Sequence, residues 1–162
     1  MPNETNPFEK LLVDLAHADV RFLTIGGVAC ALCGFVRTTE DIDILVARDD
    51  RNVETMLRTL QSFGEGHARE LSLSDFADEE GSVRIVEDFP LDIFVRLRGF
   101  TYEKLLPYKA WHEVSGSRIP YLNPHGLILL KQESNREKDR IDVSALRGLL
   151  DHTEPRIDAK KC

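Results

Sequence analysis

Apolar positions recur along this chain with two periods, and the switches between them outline its elements. Phe8, Leu11, Leu12, Leu15 and Ala16 stand at helical spacing behind Asn6 and Pro7, an N-cap followed by a first helical position. Val20 to Ile25 is β-rich and runs into Gly26-Gly27. Val28, Ala31, Leu32 and Phe35 then predict a short helix with those four on its apolar face. Gly34 and Arg37-Thr38-Thr39 end it. Residues 42–46, Ile-Asp-Ile-Leu-Val, read as a strand. Val53, Met56, Leu57 and Leu60 mark another amphipathic helix, and residues 74–82 are acidic and turn-like.

Further on, residues 82–86 and 91–97 predict two strands around Glu87-Asp88-Phe89-Pro90. Residues 111–114 and 119–122 predict a hairpin turning at Gly116. Asn123-Pro124 repeats the cap signature and opens a helix through Leu127, Leu130 and Lys131, and a last helix covers 138–150. Helix, strand, helix, then strands, then helices imply an α/β (α+β) fold with one mixed sheet flanked by helices. Residues 1–150 are expected to form one domain, and 151–162 a polar, frayed tail.

Composition narrows the class. With 162 residues, 42% of them hydrophobic, the chain needs no disulfide or metal staple to build a core. No apolar run approaches the roughly 20 residues of a membrane span. A net charge of −7 disfavours a broad nucleic-acid surface, although a bound cation reverses the local sign. The start, MPNETNPFEK, lacks a basic region followed by an apolar core, and the cysteines (Cys30, Cys33, Cys162) are odd in number. Both point to a reducing cytoplasm. Cys30-x-x-Cys33 has no second pair at zinc spacing and reads as small apolar residues on a packed helix. His17, His67, His112, His125 and His152 are scattered and read as non-ligands.

The densest chemical signal is Gly26-Gly27, a helix, then Asp41-Ile42-Asp43. Residues two apart in a strand face one side, so Asp41 and Asp43 project together while Ile42, Ile44 and Val46 face apolar packing. Adjacent carboxylates repel, and a divalent cation relieves the conflict; such hard oxygen ligands suit Mg²⁺. In 91–97, Leu91, Ile93, Val95 and Leu97 form one face, with Asp92, Phe94 and Arg96 on the other. If this strand lies beside the first, three carboxylates converge. Gly26-Gly27 at a strand-to-helix junction offers close backbone approach to an anion. Solvated strand carboxylates and a tight turn are the plainer readings of the same residues.

The stretch GGVACALCGFVRTTEDIDILV resembles the signature of the DNA polymerase β-like nucleotidyltransferase superfamily, closest to its small bacterial AbiEii-like branch. The matching positions are Gly26, Gly27, Ala29, Gly34, Arg37, Thr39, Asp41 and Asp43, with Asp92 as third carboxylate. Downstream, Lys131 ahead of Arg136, Lys138, Asp139 and Asp142 is similar to the family's helical pattern. Many members carry Gly-Ser where this chain has Gly26-Gly27.

The resemblance implies a minimal nucleotidyltransferase fold. It also implies transfer of a nucleoside monophosphate from an NTP to an acceptor hydroxyl, with release of pyrophosphate. Asp41, Asp43 and Asp92 would be the catalytic carboxylates and hold two Mg²⁺ ions, with Mn²⁺ as substitute. Asp92 would also help deprotonate the acceptor. Gly26, Gly27, Arg37, Thr39 and Lys131 would bind the nucleotide.

Arg37 is open to a second role, bracing the loop before Asp41, and Thr39 to capping the turn into the strand. Lys131 is open to an ordinary helix-surface role. Asp139 and Asp142 share a helix face and are expected to form a surface ion-pair network with Arg136 or Lys138. Trp111, Tyr102 and Tyr121 are expected to pack rather than stack a base. The acceptor is open among tRNA, protein and small-molecule hydroxyls. Larger members carry a C-terminal domain that shapes the acceptor site, so either a second copy or a partner binds the acceptor here, or catalysis has been lost. The alternative is a non-catalytic nucleotide-binding or regulatory module of the same fold, as one half of a toxin–antitoxin pair; a purely structural domain is a third.

Overall fold

Asn6 caps the first helix as its sequence implies: the side-chain oxygen accepts from the Phe8 N–H at 2.9 Å, with Pro7 in the first turn. In the computed structural model, which describes residues 6–153, the chain then runs α1 (Pro7–His17), β1 (Phe22–Ile25), α2 (Gly26–Leu32), β2 (Ile42–Val46) and α3 (Asp50–Gln61). A hairpin follows, β3 (Gly81–Val86) and β4 (Pro90–Arg96), then α4 (Tyr102–Leu105), β5 (Lys109–Val114), β6 (Ser117–Leu122), α5 (Pro124–Lys131) and α6 (Glu137–Thr153). Asn123 caps α5 as expected, accepting from the Gly126 N–H at 2.9 Å. Expectations about residues 1–5 and 154–162, Cys162 included, and about the His152 side chain lie outside the described residues.

The six strands form one mixed sheet in the order β3-β4-β2-β1-β6-β5. The β2–β4 and β1–β6 pairs are parallel; β1–β2, β3–β4 and β5–β6 are antiparallel. The central strands β1 and β2 are buried on both faces, with helices packed on either side. Ile42, Ile44 and Val46 of β2 and Leu91, Ile93 and Val95 of β4 pack with Leu11, Leu12 and Leu15 of α1 and Met56 and Leu60 of α3. The opposite face carries Leu23, Ile25 and Leu45 against Ala29 and Cys30 of α2, Leu127 and Leu130 of α5, and Leu146 of α6. Asp43 and Asp92 emerge on this second face, beside Leu45 and Phe94, because they alternate with the first set.

Four details differ from the expected pattern. In α2 the buried residues are Gly27, Ala29 and Cys30, because the helix stops at Leu32 and packs through its smallest side chains. Leu97 lies past the end of β4 and packs on the opposite face from Leu91, Ile93 and Val95. Helix α4 and the 3₁₀ turns at His67–Glu70, Leu73–Asp75 and Leu106–Tyr108 are too short to leave a periodic signal. Helix α6 continues past Leu150 to Thr153. No helix among the described residues is long and apolar enough to cross a membrane.

Candidate active site

Parallel pairing of β2 with β4 sets Asp43 directly beside Asp92. Asp41, two residues ahead of Asp43 at the entrance to β2, projects to the same side. One carboxylate oxygen from each of the three lies within 4.8 Å of the others. The sequence-expected convergence of Asp41, Asp43 and Asp92 is thus present. Asp92 is buried, and Asp41 and Asp43 are partly exposed. Burial first, then the neighbouring Asp92 and Asp41 carboxylates, pushes Asp43 up to about 6, with Lys131 opposing the rise.

Gly26 opens α2 at φ +68°, in the left-handed region. A Cβ there would overlap the Asp43 carboxylate. A Cβ on Gly27 would come within 2.8 Å of the Thr39 hydroxyl and 3.1 Å of an Arg37 nitrogen. The glycine pair therefore lets the helix start close against the carboxylates and against the loop that leads to them. Thr39 donates its hydroxyl to the Arg37 carbonyl at 3.2 Å and closes that loop.

Sequence reasoning missed Arg84. It is the register partner of Asp92 across the β3–β4 hairpin. Its Nε and Nη2 donate to the two Asp92 oxygens, each at 2.9 Å, and Nη2 also reaches Asp41 at 3.3 Å. The signal was available: Arg84 and Asp92 stand equally far from Asp88 at the hairpin tip, so a regular hairpin places them abreast.

A second cluster of linked charges shares the cavity with the three carboxylates. Arg37 grips Asp142 with Nε at 2.8 Å and Nη2 at 3.0 Å. Lys131 Nζ donates to Asp142 at 2.7 Å and to Asp139 at 3.1 Å. Arg98 donates to Asp139 at 2.8 Å and to the Leu130 carbonyl at 3.0 Å, and the Ser134 hydroxyl also binds Asp139 at 2.7 Å. Burial opposes ionisation of Asp139, but Ser134, Lys131 and Arg98 outweigh it and bring the carboxyl down to about 2. Burial opposes ionisation of Asp142 too, and Arg37 and Lys131 hold it below the ordinary carboxylate range.

This corrects the expected surface network. Asp139 and Asp142 are buried, and their partners are Lys131, Arg37 and Arg98, not Arg136 or Lys138. The shared helix face was read correctly, but it turns inward against α5. Lys131 is correspondingly no ordinary surface lysine, because its side chain is buried. Arg37 does brace the loop, through Asp142.

The cavity has a volume of about 280 Å³ and is lined by all eight residues expected at the site. Arg84, Arg98, Arg136, Lys138 and Asp139 line it as well. Its charges fall into two clusters: three carboxylates, two of them bridged by Arg84, and three cations sharing two carboxylates. Three hard carboxylates against one guanidinium leave the first cluster with an excess of two negative charges when all are ionised, which suits a divalent cation. The donor set therefore fits Mg²⁺ or Mn²⁺.

Outside the cavity, His17 bonds Ser117 at 2.8 Å and His67 meets the Val86 carbonyl at 2.6 Å. Trp111 lies under both Lys109 and Arg118, 4.4 and 4.5 Å from its ring centre, and Tyr102 is buried in the core. Cys30 is buried and Cys33 partly so, both as free thiols.

No protein-family model matches the sequence, and no curated protein sequence matches it significantly. Solved structures do match. A Thermotoga maritima protein provisionally named a nucleotidyltransferase is 22% identical, with a TM-score of 0.54 over 90% of this chain and 91% of that one. An antigenic nucleotidyltransferase-like protein from Paracoccidioides brasiliensis is 16% identical, with a TM-score of 0.53 over 90% of this chain and 74% of that one. The mixed sheet flanked by helices is the fold of these nucleotidyltransferase-type proteins.

Proposed function

We propose that this chain transfers a nucleoside monophosphate from an NTP to an acceptor hydroxyl and releases pyrophosphate. The observation that carries the reading is the meeting of Asp41, Asp43 and Asp92 within 4.8 Å in a cavity that Arg37, Arg98, Lys131, Arg136 and Lys138 also line. Asp41 and Asp43 would hold Mg²⁺, with Asp92 completing the ligand set. Bound there, the ion would supply charge stabilisation for the oxygens of the displacement.

The chain's own groups supply the rest. Lys131 spends two N–H bonds on Asp139 and Asp142, and an ammonium has a third to offer a phosphate. Arg37 is fixed by Asp142 and lies beside Gly27, so the glycine backbone and the guanidinium face the same phosphates. Asp92 accepts the acceptor's proton as the new oxygen–phosphorus bond forms and the bridge to pyrophosphate breaks. The arrangement works chiefly by positioning and fixed charge.

The test incubates the protein and Mg²⁺ with α-labelled NTPs and, in turn, tRNA, protein and small-molecule hydroxyl acceptors. Label is expected on one acceptor class with stoichiometric pyrophosphate. Asp41→Asn and Asp43→Asn should each lower transfer by about a hundredfold or more. Transfer that persists undiminished in both variants would remove the assignment. Nucleotide binding without transfer to any acceptor would favour the regulatory module.

A further inference from the structure

The guanidinium of Arg84 sits on the oxygens that a metal ion needs. It takes both oxygens of Asp92 as a fork and bridges to Asp41, two of the three carboxylates of the candidate metal site. We propose that Arg84 is a resident counter-ion which the divalent cation displaces, and that its release ties cation loading to polyphosphate binding. This rests on the nucleotidyl-transfer reading of the site.

The two partners differ in freedom. Asp92 is buried between β2 and β3 and cannot follow the arginine outward. Arg84 stands on β3, at the end of the sheet order, with its side chain 54% exposed. The long side chain can therefore leave while the carboxylate stays. A cation entering the cluster meets a like charge already hydrogen-bonded there. Loading without nucleotide thus requires breaking the fork with only water to receive the guanidinium.

With a polyphosphate in the cavity the exchange changes sign. Arg84 lines the same cavity as Lys131 and Arg37, so phosphate oxygens lie within its province. A guanidinium fork suits phosphate as well as carboxylate. The anion receives the displaced arginine, and the cation receives the vacated oxygens. Each ligand then strengthens the other, and the coupling is reciprocal.

The test measures Mn²⁺ binding by the electron-spin-resonance signal of the free ion, with and without a non-hydrolysable NTP analogue. In the wild type the analogue is expected to tighten Mn²⁺ binding by about tenfold or more. Arg84→Gln should bind Mn²⁺ alone about tenfold more tightly than the wild type, and gain less than about threefold from the analogue. Arg84→Lys keeps the charge without the fork and provides a second variant should the first fold poorly. It should bind Mn²⁺ alone more tightly than the wild type, by a smaller factor. Equal Mn²⁺ affinity without analogue in all three proteins would overturn the proposal and leave the metal site standing. An undiminished effect of the analogue in both variants would overturn the coupling. Absence of Mn²⁺ binding under every condition would instead bring down the nucleotidyl-transfer reading itself.

Discussion

Asp43 and Asp92 are register partners on adjacent parallel strands, and their carboxyl groups are held abreast by the sheet rather than by any flexible loop. Enforced proximity, on top of burial, is why Asp43 resists ionisation up to about 6. The folded value lies above the ordinary 3.8, so the unfolded chain releases this proton first as pH rises. Below 3.8 the group is protonated in both states and costs nothing. Between 3.8 and about 6 stability falls, and above that the penalty is constant, of order 3 kcal/mol at most. Asp43→Asn removes it. The variant is expected to be more stable than the wild type by up to about 3 kcal/mol at pH 8 without metal. The difference should shrink as pH falls through 6. Urea titrations at pH 8 and pH 5 check this, and saturating Mn²⁺ should stabilise the wild type and not the variant.

Strand alternation made much of this site legible. Asp41 and Asp43 share a side because strand residues two apart must, and Asp92 stood out as a lone carboxylate among apolar neighbours. What the chain could not show was register and facing. The Arg84–Asp92 pair needs the exact hairpin pairing, and one residue of slip would have turned Arg84 to the other face. Asp139 and Asp142 were placed on one helix face, but spacing alone does not say whether that face meets solvent or another helix. The answer lies in Lys131 and Arg37, which arrive from other parts of the chain. For α2, the stripe at Val28, Ala31, Leu32 and Phe35 was outweighed by tight packing of small residues on the sheet.

Asp142 is the shared anchor of Arg37 and Lys131, with 0% exposure. Asp142→Ala leaves two cations without their common carboxylate in a buried setting, a loss of roughly 3–5 kcal/mol. Asp142→Asn keeps the shape and should lose less. Both variants should lower the melting temperature, and the NTP concentration needed for half-maximal stabilisation should rise. The network also sets an acid limit. Because Asp139 titrates at about 2 in the fold against 3.8 when unpaired, its stabilising contribution is complete above 3.8 and fades as pH drops towards 2. Thermal melts from pH 5 down to pH 2 should show this fall, with a smaller one in Asp139→Asn.

Cys30 and Cys33 should behave as packing residues. Burial pushes the Cys30 thiol up to about 11 and the Cys33 thiol up to about 12, so little thiolate exists near neutrality. In a Cys162→Ser background, both thiols are expected to react with an aromatic disulfide reagent at pH 8 at least about a hundredfold more slowly in the folded protein than in urea. Rapid labelling of the folded protein would contradict their burial.

Gly26 and Asp43 set the last test, because they compete for one volume. A side chain at Gly26 meets the Asp43 carboxylate and must also adopt φ +68°. The left-handed backbone alone costs about 1–2 kcal/mol for an L-residue. The overlap must then be relieved by moving either the start of α2 or the carboxylate. Gly26→Ala is therefore expected to lose more stability than the backbone term, and to weaken Mn²⁺ binding about tenfold or more by displacing a ligand. Gly27→Ala meets the Thr39 hydroxyl and an Arg37 nitrogen instead, at 2.8 and 3.1 Å. It should leave Mn²⁺ affinity near the wild-type value and weaken NTP binding. Melting curves with Mn²⁺ and NTP titrations on the two variants separate the roles: a metal defect at Gly26 and a phosphate defect at Gly27. The same defect in both would mean that the glycines serve only the chain turn.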